Sequence, residues 1–325
     1  MRLILFGTGP FAVPTYESLI DQHEVLAVVT RPIDDSGKRR KTAANPTRDL
    51  GEAKGLQILD PRSCNEPEFV QQLKSMNADL FVVCDYGQIL SRDCLAAAKL
   101  GGINLHGSLL PKYRGAAPIQ WCVYNGDTVT GVTVIHMTAK LDGGPCIVKS
   151  QIEIGDDETA EELEPRLSAL GPAAVGEAIT MLESWDGESS LGELQNREEV
   201  TKAPRLKKTD GKIDFNRSAK QISNQVRAFV PWPRSFTNWT PENKSPIRLI
   251  VGRTKVVQAA ELAEESVASV EAGVVALCDS SRLWIQTGDG LISIEEIQPS
   301  GKRQMPIADF LRGQQPKVGD FFEVA

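Results

Sequence analysis

The stretch Arg2–Pro10 (RLILFGTGP) is a short, continuous apolar run that ends in a glycine turn. Such a run, bounded by turn residues, is typical of a strand that is buried on both faces. It is too short for the apolar core of a signal peptide, so we expect none. Farther along, Phe11–Ile20 has the pattern of a helix, and Val25–Thr30 (VLAVVT) has that of a second buried strand.

Two further apolar runs, Leu80–Cys84 and Gly102–Leu105, follow a helical segment that begins at Pro46. Strands that are buried on both faces and alternate with helices predict a parallel sheet covered by helices. Thr130–Met137 and Cys146–Ile154 instead alternate apolar and polar residues, so we expect antiparallel or edge strands there. The first half of the chain is therefore predicted to be an α/β domain with a mostly parallel sheet.

Length and charge distribution indicate two domains. At 325 residues, the chain exceeds the ~250–300 residues at which a single hydrophobic core stops growing. Residues 151–200 carry 14 acidic and 2 basic side chains, whereas residues 201–250 carry 11 basic and 3 acidic ones. We therefore predict one domain at residues 1–190, a linker at 191–207 and a second domain at 208–325.

The second half of the chain has a different pattern, in which short strands are separated by turn signals. The predicted strands are Ile247–Val251, Lys255–Gln258, Gly273–Cys278, Leu283–Gln286 and Leu291–Ile297. Ser218–Phe229 is the helical segment expected among them, and Thr159–Trp185, which lies before the linker, is predicted to be one long helix. Short strands of this kind predict a small, mostly antiparallel β-barrel.

Composition argues against several classes of protein. No run of ~18 apolar residues exists, so no membrane span is expected. The six cysteines show neither C-x-x-C spacing nor a neighbouring histidine at ligand spacing, which predicts reduced thiols and no metal. The net charge of −7 disfavours a nucleic-acid partner, but the basic block after residue 200 leaves a polyanionic one open. We expect a cytoplasmic monomer.

A polar pair lies where the strand Gly102–Leu105 ends. Asn104 and His106 are two residues apart, so their side chains point to the same side of an extended chain. Ligands of open parallel sheets bind beyond the carboxyl ends of the strands. Asp142 follows 36 residues after His106, in a turn between two predicted strands. Each residue alone is more typical of a structural role, so the hypothesis of a catalytic trio depends on the joint pattern.

That joint pattern resembles a known family. Asn104–Gly115 (NLHGSLLPKYRG), with Leu141–Gly144 (LDGG) downstream, is similar to the signature of the folate-dependent formyltransferase superfamily. The resemblance continues at Gly7–Pro14 and Asp85–Leu90. Segments similar to the branch that acts on methionyl-tRNA are Arg114–Gln120, Ala203–Leu206, Arg227–Pro233 and Gln298–Arg303.

The resemblance implies a Rossmann-like formyltransferase catalytic domain, followed by a small OB-like β-barrel that binds tRNA. It implies transfer of a formyl group from 10-formyltetrahydrofolate to the α-amine of initiator methionyl-tRNA, without a metal. Negative charge would develop on the formyl oxygen, where the Asn104 amide and a protonated His106 would meet it. Asp142 would favour the imidazolium, orient its ring and accept the amine proton through a water.

The family pattern also assigns binding residues. Those expected at the folate site are Tyr86, Gly87, Gln88, Ile89, Leu90, Ser108, Leu109, Leu110, Pro111 and Leu141. Those expected to bind tRNA are Lys38, Arg39, Arg40, Lys41, Lys207 and Lys208. Trp232 is a candidate for stacking on RNA, but between two prolines it is interpreted first as packing at a domain junction. Two positions depart from the branch: Gly143 stands where Thr is usual, and Asp85 where Ala is usual.

Three alternatives remain open at this point. A formyltransferase of the same superfamily that acts on an amino-sugar nucleotide shares the Asn, His and Asp core. An NADP-dependent oxidoreductase fits the glycine turn Gly7–Ala12, with Arg31 at the end of the second strand in place of the usual acidic residue. The third hypothesis is not an enzyme but an RNA-binding module without activity. The intact trio disfavours this hypothesis.

Overall fold

The computed structural model describes residues 1–33, 44–187, 191–241, 245–263, 265 and 267–323. The strands are β1 (Arg2–Gly7), β2 (Glu24–Val29), β3 (Ile58–Leu59), β4 (Leu80–Cys84), β5 (Gly102–His106), β6 (Arg114–Gly115), β7 (Val129–His136), β8 (Cys146–Glu153), β9 (Lys202–Ala203), β10 (Ser235–Trp239), β11 (Ile247–Val256), β12 (Val275–Cys278), β13 (Leu283–Gln286), β14 (Leu291–Pro299) and β15 (Met305–Pro306). The helices are α1 (Val13–Gln22), α2 (Pro46–Ala53), α3 (Pro67–Ser75), α4 (Arg92–Leu95), α5 (Pro118–Asn125), α6 (Ala160–Ser168), α7 (Gly171–Glu183), α8 (Ala219–Ala228), α9 (Ala259–Ala263) and α10 (Ile307–Gln314). Short 3₁₀ helices lie at Pro10–Ala12, Arg197–Glu199 and Lys208–Gly211.

The described residues form two compact units. The first unit draws on residues 1–119, 129–154 and 162–205, and the second on residues 120–128, 155–161 and 206–325. Most of the segment predicted as a linker, residues 191–207, therefore groups with the first unit. The reason is visible in the backbone, because β9 pairs in parallel with β6 through Arg114↔Lys202 and Gly115↔Ala203.

A seven-stranded sheet forms the first unit, in the order β3-β2-β1-β4-β5-β7-β8. The strands run parallel through β5, whereas β7 pairs antiparallel with β5 and β8 antiparallel with β7. Leu3 to Phe6 of β1 are fully buried, and so is most of β4, because helices cover both faces of these central strands. The predicted α/β domain with a mostly parallel sheet is confirmed.

Three central strands end at one edge of this sheet. The register pairs Gly7 of β1 with Cys84 of β4, and Val83 of β4 with Asn104 of β5. Since β2 lies on one side of β1 and β4 on the other, the strand order reverses there, and such a switch point opens a crevice beyond the strand ends. The predicted site residues Asn104 and His106 lie at this edge.

The predicted long helix at Thr159–Trp185 is wrong, because the segment forms two helices. The first, α6, ends at Ser168, and α7 begins at Gly171. Pro172 lies in the first turn of α7, where no helical hydrogen bond needs its missing N–H. In the interior of one long helix, the same proline would remove a backbone hydrogen bond. Gly171 also packs so closely that a Cβ there would lie 2.2 Å from the Thr15 hydroxyl oxygen.

The second unit contains an antiparallel sheet in the order β10-β11-β14-β13-β12, with β15 added beside β14. Its core includes Phe215, Trp239, Phe310 and Phe322, each at most 1% exposed. The predicted small barrel-like β domain is confirmed. The two strands predicted at Ile247–Val251 and Lys255–Gln258 are instead one strand, β11, whose register to β14 shifts around Arg253. No described helix combines the length and apolar composition that a bilayer span requires.

Candidate active site

Asn104 and His106 lie on β5, the strand between parallel β4 and antiparallel β7. Asn104 is opposite Ile135 and His106 is opposite Thr133 on β7. The imidazole is buried, at 6% exposure, whereas Asn104 is partly exposed. Among the described residues, no group forms a hydrogen bond with the Asn104 side chain. Its amide is therefore available to a ligand at the end of the strand.

The backbone fixes the hydrogen-bonding state of His106. Its Nε2 lies 2.9 Å from the main-chain oxygen of Tyr113. A carbonyl oxygen only accepts, so Nε2 must carry a hydrogen. In the neutral ring Nδ1 then carries a lone pair and no hydrogen. Nδ1 can donate a hydrogen bond only when the ring is an imidazolium. Tyr113 is held in turn by its main-chain nitrogen, which donates to the Thr201 hydroxyl at 2.8 Å.

Asp142 lies within reach of that second nitrogen. Its Oδ2 is 3.9 Å from Nδ1 of His106, and its side chain is 11% exposed. This separation is too long for a hydrogen bond but short enough for attraction to a charged imidazolium. The same Oδ2 accepts a hydrogen bond from the main-chain nitrogen of Gly115 at 2.8 Å. The structure thus brings His106 and Asp142 together, and Asn104 lies two residues before His106 on the same strand.

The turn that carries Asp142 is held by a residue that the sequence pattern did not single out, Gln195. Its Nε2 donates to the main-chain oxygens of Asp142 at 2.8 Å and Gly144 at 2.7 Å. Its Oε1 accepts from Nε and Nη2 of Arg114 at 3.0 and 2.7 Å. Gly144 itself allows a close approach, since a Cβ there would lie 1.8 Å from the His136 oxygen. Gln195 thus bridges Arg114, at the end of the signature motif, to the turn of Asp142.

The loop after β4 contributes different groups from those the family pattern suggests. Tyr86 and Leu90 are buried in the core of the first unit, at 5% and 1% exposure. The Gln88 side chain accepts from the Cys64 main-chain nitrogen at 2.9 Å and so fastens the loop. Ile89, by contrast, is 59% exposed. Gly87 adopts a left-handed conformation, with φ of +83°. Side-chain contact with a ligand would therefore come from Ile89, and the rest of the loop would offer its backbone.

The loop after β5 is fixed mainly through Ser108 and Thr133. The Ser108 hydroxyl donates to the Lys112 oxygen at 2.8 Å, and the Thr133 hydroxyl donates to the Ser108 oxygen at 2.7 Å. Leu110 is buried, and its main-chain nitrogen donates to the Thr133 hydroxyl at 3.0 Å. Leu109 packs against Gly131 of β7, and Pro111 is partly exposed.

Two further side chains near the strand ends belong to Leu141 and Asp85. Leu141, which precedes Asp142, is 55% exposed. Asp85 has a φ of +47°, and its carboxylate lies over Gly9, where a Cβ would meet Oδ2 at 1.8 Å. Desolvation by the surrounding protein raises the pKa of the Asp85 carboxyl, and the charge of Arg31 opposes that shift.

The residues predicted to bind tRNA divide into two groups. Lys38, Arg39, Arg40 and Lys41 lie outside the described residues. Lys207 and Lys208 belong to the second unit, where both are exposed at the start of a 3₁₀ helix. The main-chain nitrogen of Lys207 donates to Asp210 at 2.7 Å, which fixes the turn but leaves both ammonium groups on the surface.

Comparison with known proteins gives consistent results for both parts of the chain. Residues 1–179 match the family model of formyl transferases, and residues 205–315 match that of the formyl transferase C-terminal domain. The chain is 43% identical to a methionyl-tRNA formyltransferase of Rhodopirellula baltica, over 98% of this chain and 96% of that one. It is 35% identical to a methionyl-tRNA formyltransferase of Clostridioides difficile, over 98% and 99% of the two chains.

Solved structures show the same fold. A crystal structure of an N-formyltransferase from Helicobacter canadensis, in complex with folinic acid and dTDP-3-aminofucose, has a TM-score of 0.64 with this chain. The two are 17% identical, and the match covers 92% of this chain and 99% of the other. At that identity the likeness concerns the fold alone.

Proposed function

The chain belongs to the methionyl-tRNA formyltransferase family, and on that premise we propose that Asn104, His106 and Asp142 carry out the reaction. The reaction moves a formyl group from 10-formyltetrahydrofolate to the α-amine of initiator methionyl-tRNA. Its product, formylmethionyl-tRNA, serves translation initiation. We therefore propose that the enzyme is cytoplasmic. That the chain acts as a monomer stays a prediction.

The observation that carries the proposal is the arrangement around His106. Because Nε2 donates to Tyr113, the nitrogen left to face the substrate is Nδ1, and it donates only when the ring is charged. The Asp142 carboxylate, 3.9 Å from Nδ1, would attract the ring when it is charged. The imidazolium and the free Asn104 amide then supply two donors for the negative charge that develops on the formyl oxygen.

Proton removal from the attacking amine falls to Asp142 in this scheme. Its Oδ2 already accepts one hydrogen bond from Gly115, and a carboxylate oxygen has a further lone pair to offer. A water between the amine and this oxygen would carry the proton. As the bond between the formyl carbon and N10 of the folate breaks, a proton returns to N10 and tetrahydrofolate leaves. Gln195 holds the turn of Asp142, so it acts as a positioning residue and does not touch the reacting atoms.

Two exposed side chains on loops near the strand ends support a folate site. Ile89 and Leu141 expose large apolar side chains, at 59% and 55%, as a slot for an aromatic ring system requires. We propose that the backbone of Tyr86–Leu90 and the segment Ser108–Pro111 complete the site. When bound, the formyl-folate supplies the activated formyl group, while the protein orients it and excludes water.

Binding of the second substrate is assigned to basic residues. We propose that Lys38, Arg39, Arg40 and Lys41 of the first unit, and Lys207 and Lys208 of the second, neutralise phosphates of the tRNA. The exposure of Lys207 and Lys208 supports this role.

Two observations weigh against the alternatives. In a dinucleotide oxidoreductase the backbone beside Gly9 would receive a pyrophosphate, but here the Asp85 side chain occupies that space. An amino-sugar nucleotide acceptor is disfavoured because the relatives that match nearly the whole chain at 35–43% identity are methionyl-tRNA formyltransferases.

An activity assay tests the proposed function. Purified protein, 10-formyltetrahydrofolate and methionyl-initiator tRNA should yield formylmethionyl-tRNA, detected after deacylation as formylmethionine. A parallel reaction with a dTDP-amino sugar should yield no formylated sugar. A folded protein that formylates the sugar but not the tRNA would show that the acceptor is wrong.

A further inference from the structure

Trp232 is more exposed than the other tryptophans of the second unit. It lies in the turn between α8 and β10 and is 52% exposed. Trp239 and Trp284 of the same unit are 1% and 2% exposed and contribute to its hydrophobic clusters. The interpretation of Trp232 as a packing residue at a domain junction therefore receives no support from its exposure. A large aromatic face open to solvent is a feature of recognition surfaces.

The turn that presents Trp232 is anchored at both ends. The main-chain nitrogen of Arg234 donates to the Phe229 oxygen at 2.9 Å, and Phe229 is fully buried. Pro231 and Pro233 flank the tryptophan and fix the backbone φ angle on either side. The indole thus projects from a defined turn, so little backbone entropy is lost when a ligand contacts it.

Cations surround this turn. The Arg234 guanidinium, two residues from Trp232, donates to the Gln304 side chain at 2.5 Å. Gln304 follows the exposed residues Lys302 and Arg303 directly. On the other side, Gly211 packs so tightly that a Cβ would lie 2.1 Å from the Arg234 oxygen. That contact brings the 3₁₀ helix of Lys208 against the same turn.

Two carboxylates on the same segments already accept hydrogen bonds. Asp210 accepts the hydrogen bond from the Lys207 main-chain nitrogen at 2.7 Å. Glu296 accepts one from the Gln304 side chain at 2.5 Å. The cations around the turn are Lys207, Lys208, Arg234, Lys302 and Arg303. Cations on segments that contact the Trp232 turn suit the phosphate backbone of a nucleic acid.

We propose that Trp232 stacks on an unpaired nucleobase of the tRNA substrate, while the surrounding cations hold the adjacent phosphates. Unpaired bases have a free face, and proteins that bind single-stranded nucleic acid combine such aromatic stacking with a basic surface. A base in a duplex offers no face of this kind, so the contact belongs to a loop or end of the tRNA. This inference rests on the proposed function, because it takes tRNA as the substrate.

Substitutions of Trp232 test the inference by separating binding from chemistry. Trp232→Ala should raise KM for methionyl-tRNA roughly 5- to 150-fold, the equivalent of ~1–3 kcal/mol of stacking. The kcat and the KM for 10-formyltetrahydrofolate should stay unchanged. Trp232→Phe should recover most of the affinity because it retains a stacking face, whereas Trp232→Leu, which is apolar without one, should not.

A matched control is Phe321→Ala, which removes another half-exposed aromatic side chain of the second unit. Circular dichroism and thermal unfolding should show that all variants are folded. A Trp232→Ala enzyme with a KM within twofold of the wild type, or a Trp232→Leu enzyme that matches Trp232→Phe, would overturn the stacking inference. In both cases the wild type still formylates methionyl-tRNA, so the proposed function stands. Failure of the wild type itself would overturn the proposed function and the inference with it.

Discussion

Gln195 holds the conformation of Asp142: its side-chain amide lies 2.8 Å from the Asp142 main-chain oxygen. The same nitrogen lies 2.7 Å from the Gly144 oxygen, so one amide spans the turn. Asp142 has a φ of +47°, a left-handed conformation that a non-glycine residue adopts at a cost and that its surroundings must stabilise. The carboxylate that we propose as catalytic is thus placed by a side chain 53 residues farther along the chain.

Gln195→Glu should reduce kcat about tenfold and leave KM for methionyl-tRNA within about twofold. The carboxylate has the size of the amide but cannot donate a hydrogen bond, so two main-chain oxygens lose their donor and face a negative charge. A loss of ~1.4 kcal/mol in transition-state stabilisation lowers the rate tenfold. Steady-state formylation kinetics measure both constants. Gln151→Glu, a change of the same kind at an exposed position of β8, is the control and should be neutral. Equal kcat for the two variants would show that Gln195 does not position the carboxylate.

Asn104→Asp should lower kcat by ~10²–10³, the usual loss for one donor to a developing oxyanion. The substitution preserves shape but replaces the amide donor with an acceptor beside the formyl oxygen. Single-turnover reactions with saturating tRNA isolate the chemical step. Binding of tRNA, measured separately by filter retention, should be unaffected. A variant within threefold of the wild-type rate would remove Asn104 from the proposed mechanism.

The fold was predictable because strands and helices of the first unit carry strong periodic patterns. Continuous apolar runs such as Leu80–Cys84 become buried parallel strands, and the alternating Thr130–Met137 becomes antiparallel β7. Asn104 and His106 were predicted as site residues because a spacing of two on a strand places both side chains on one side, and because the motif around them resembles the family signature. The prediction of one long helix missed the break between α6 and α7, because it did not treat Gly171 and Pro172 as the start of a second helix.

Gln195 could not be identified in this way. It lies in a segment with no periodicity and many polar residues, which favours a linker, and its function depends on a contact with a turn far away in the sequence. The hydrogen bond from Gly115 to Asp142 is equally invisible, because its donor is a main-chain nitrogen that every residue except proline has. Tyr86, which the family resemblance placed at the folate, is buried, because a resemblance does not say whether a residue offers its side chain or its backbone to a ligand.

The double variant Lys207→Ala/Lys208→Ala should raise KM for methionyl-tRNA without changing kcat. If each ammonium contacts one phosphate, the slope of log KM against log salt concentration should fall by roughly 1.4–1.8, at ~0.7–0.9 per contact. Kinetics at several salt concentrations measure this slope. Lys255→Ala, at an exposed position of β11, is the control for the loss of a positive charge. A slope equal to that of the wild type would place the phosphate contacts elsewhere.

Asp79→Asn should destabilise the first unit at neutral pH and lose this effect in acid. The Asp79 carboxylate accepts from Lys99 Nζ at 2.6 Å and from the Arg2 main-chain nitrogen at 2.7 Å, so it fixes the start of β1. The hydrogen bond from Lys99, then that from Arg2, lowers the pKa of Asp79.

A carboxyl whose pKa is lower in the folded protein stabilises the fold above its unfolded pKa of ~3.9, and this contribution disappears as the pH falls through the folded value. Because Lys99 is 67% exposed, we expect only about 0.5–1 kcal/mol at pH 7. Urea unfolding at pH 7, 5 and 3.5 should show the variant and the wild type converging toward the lowest pH. Glu177→Gln, at an exposed position of α7, should show no such convergence. A difference that stays constant with pH would mean that the charge of Asp79 does not contribute.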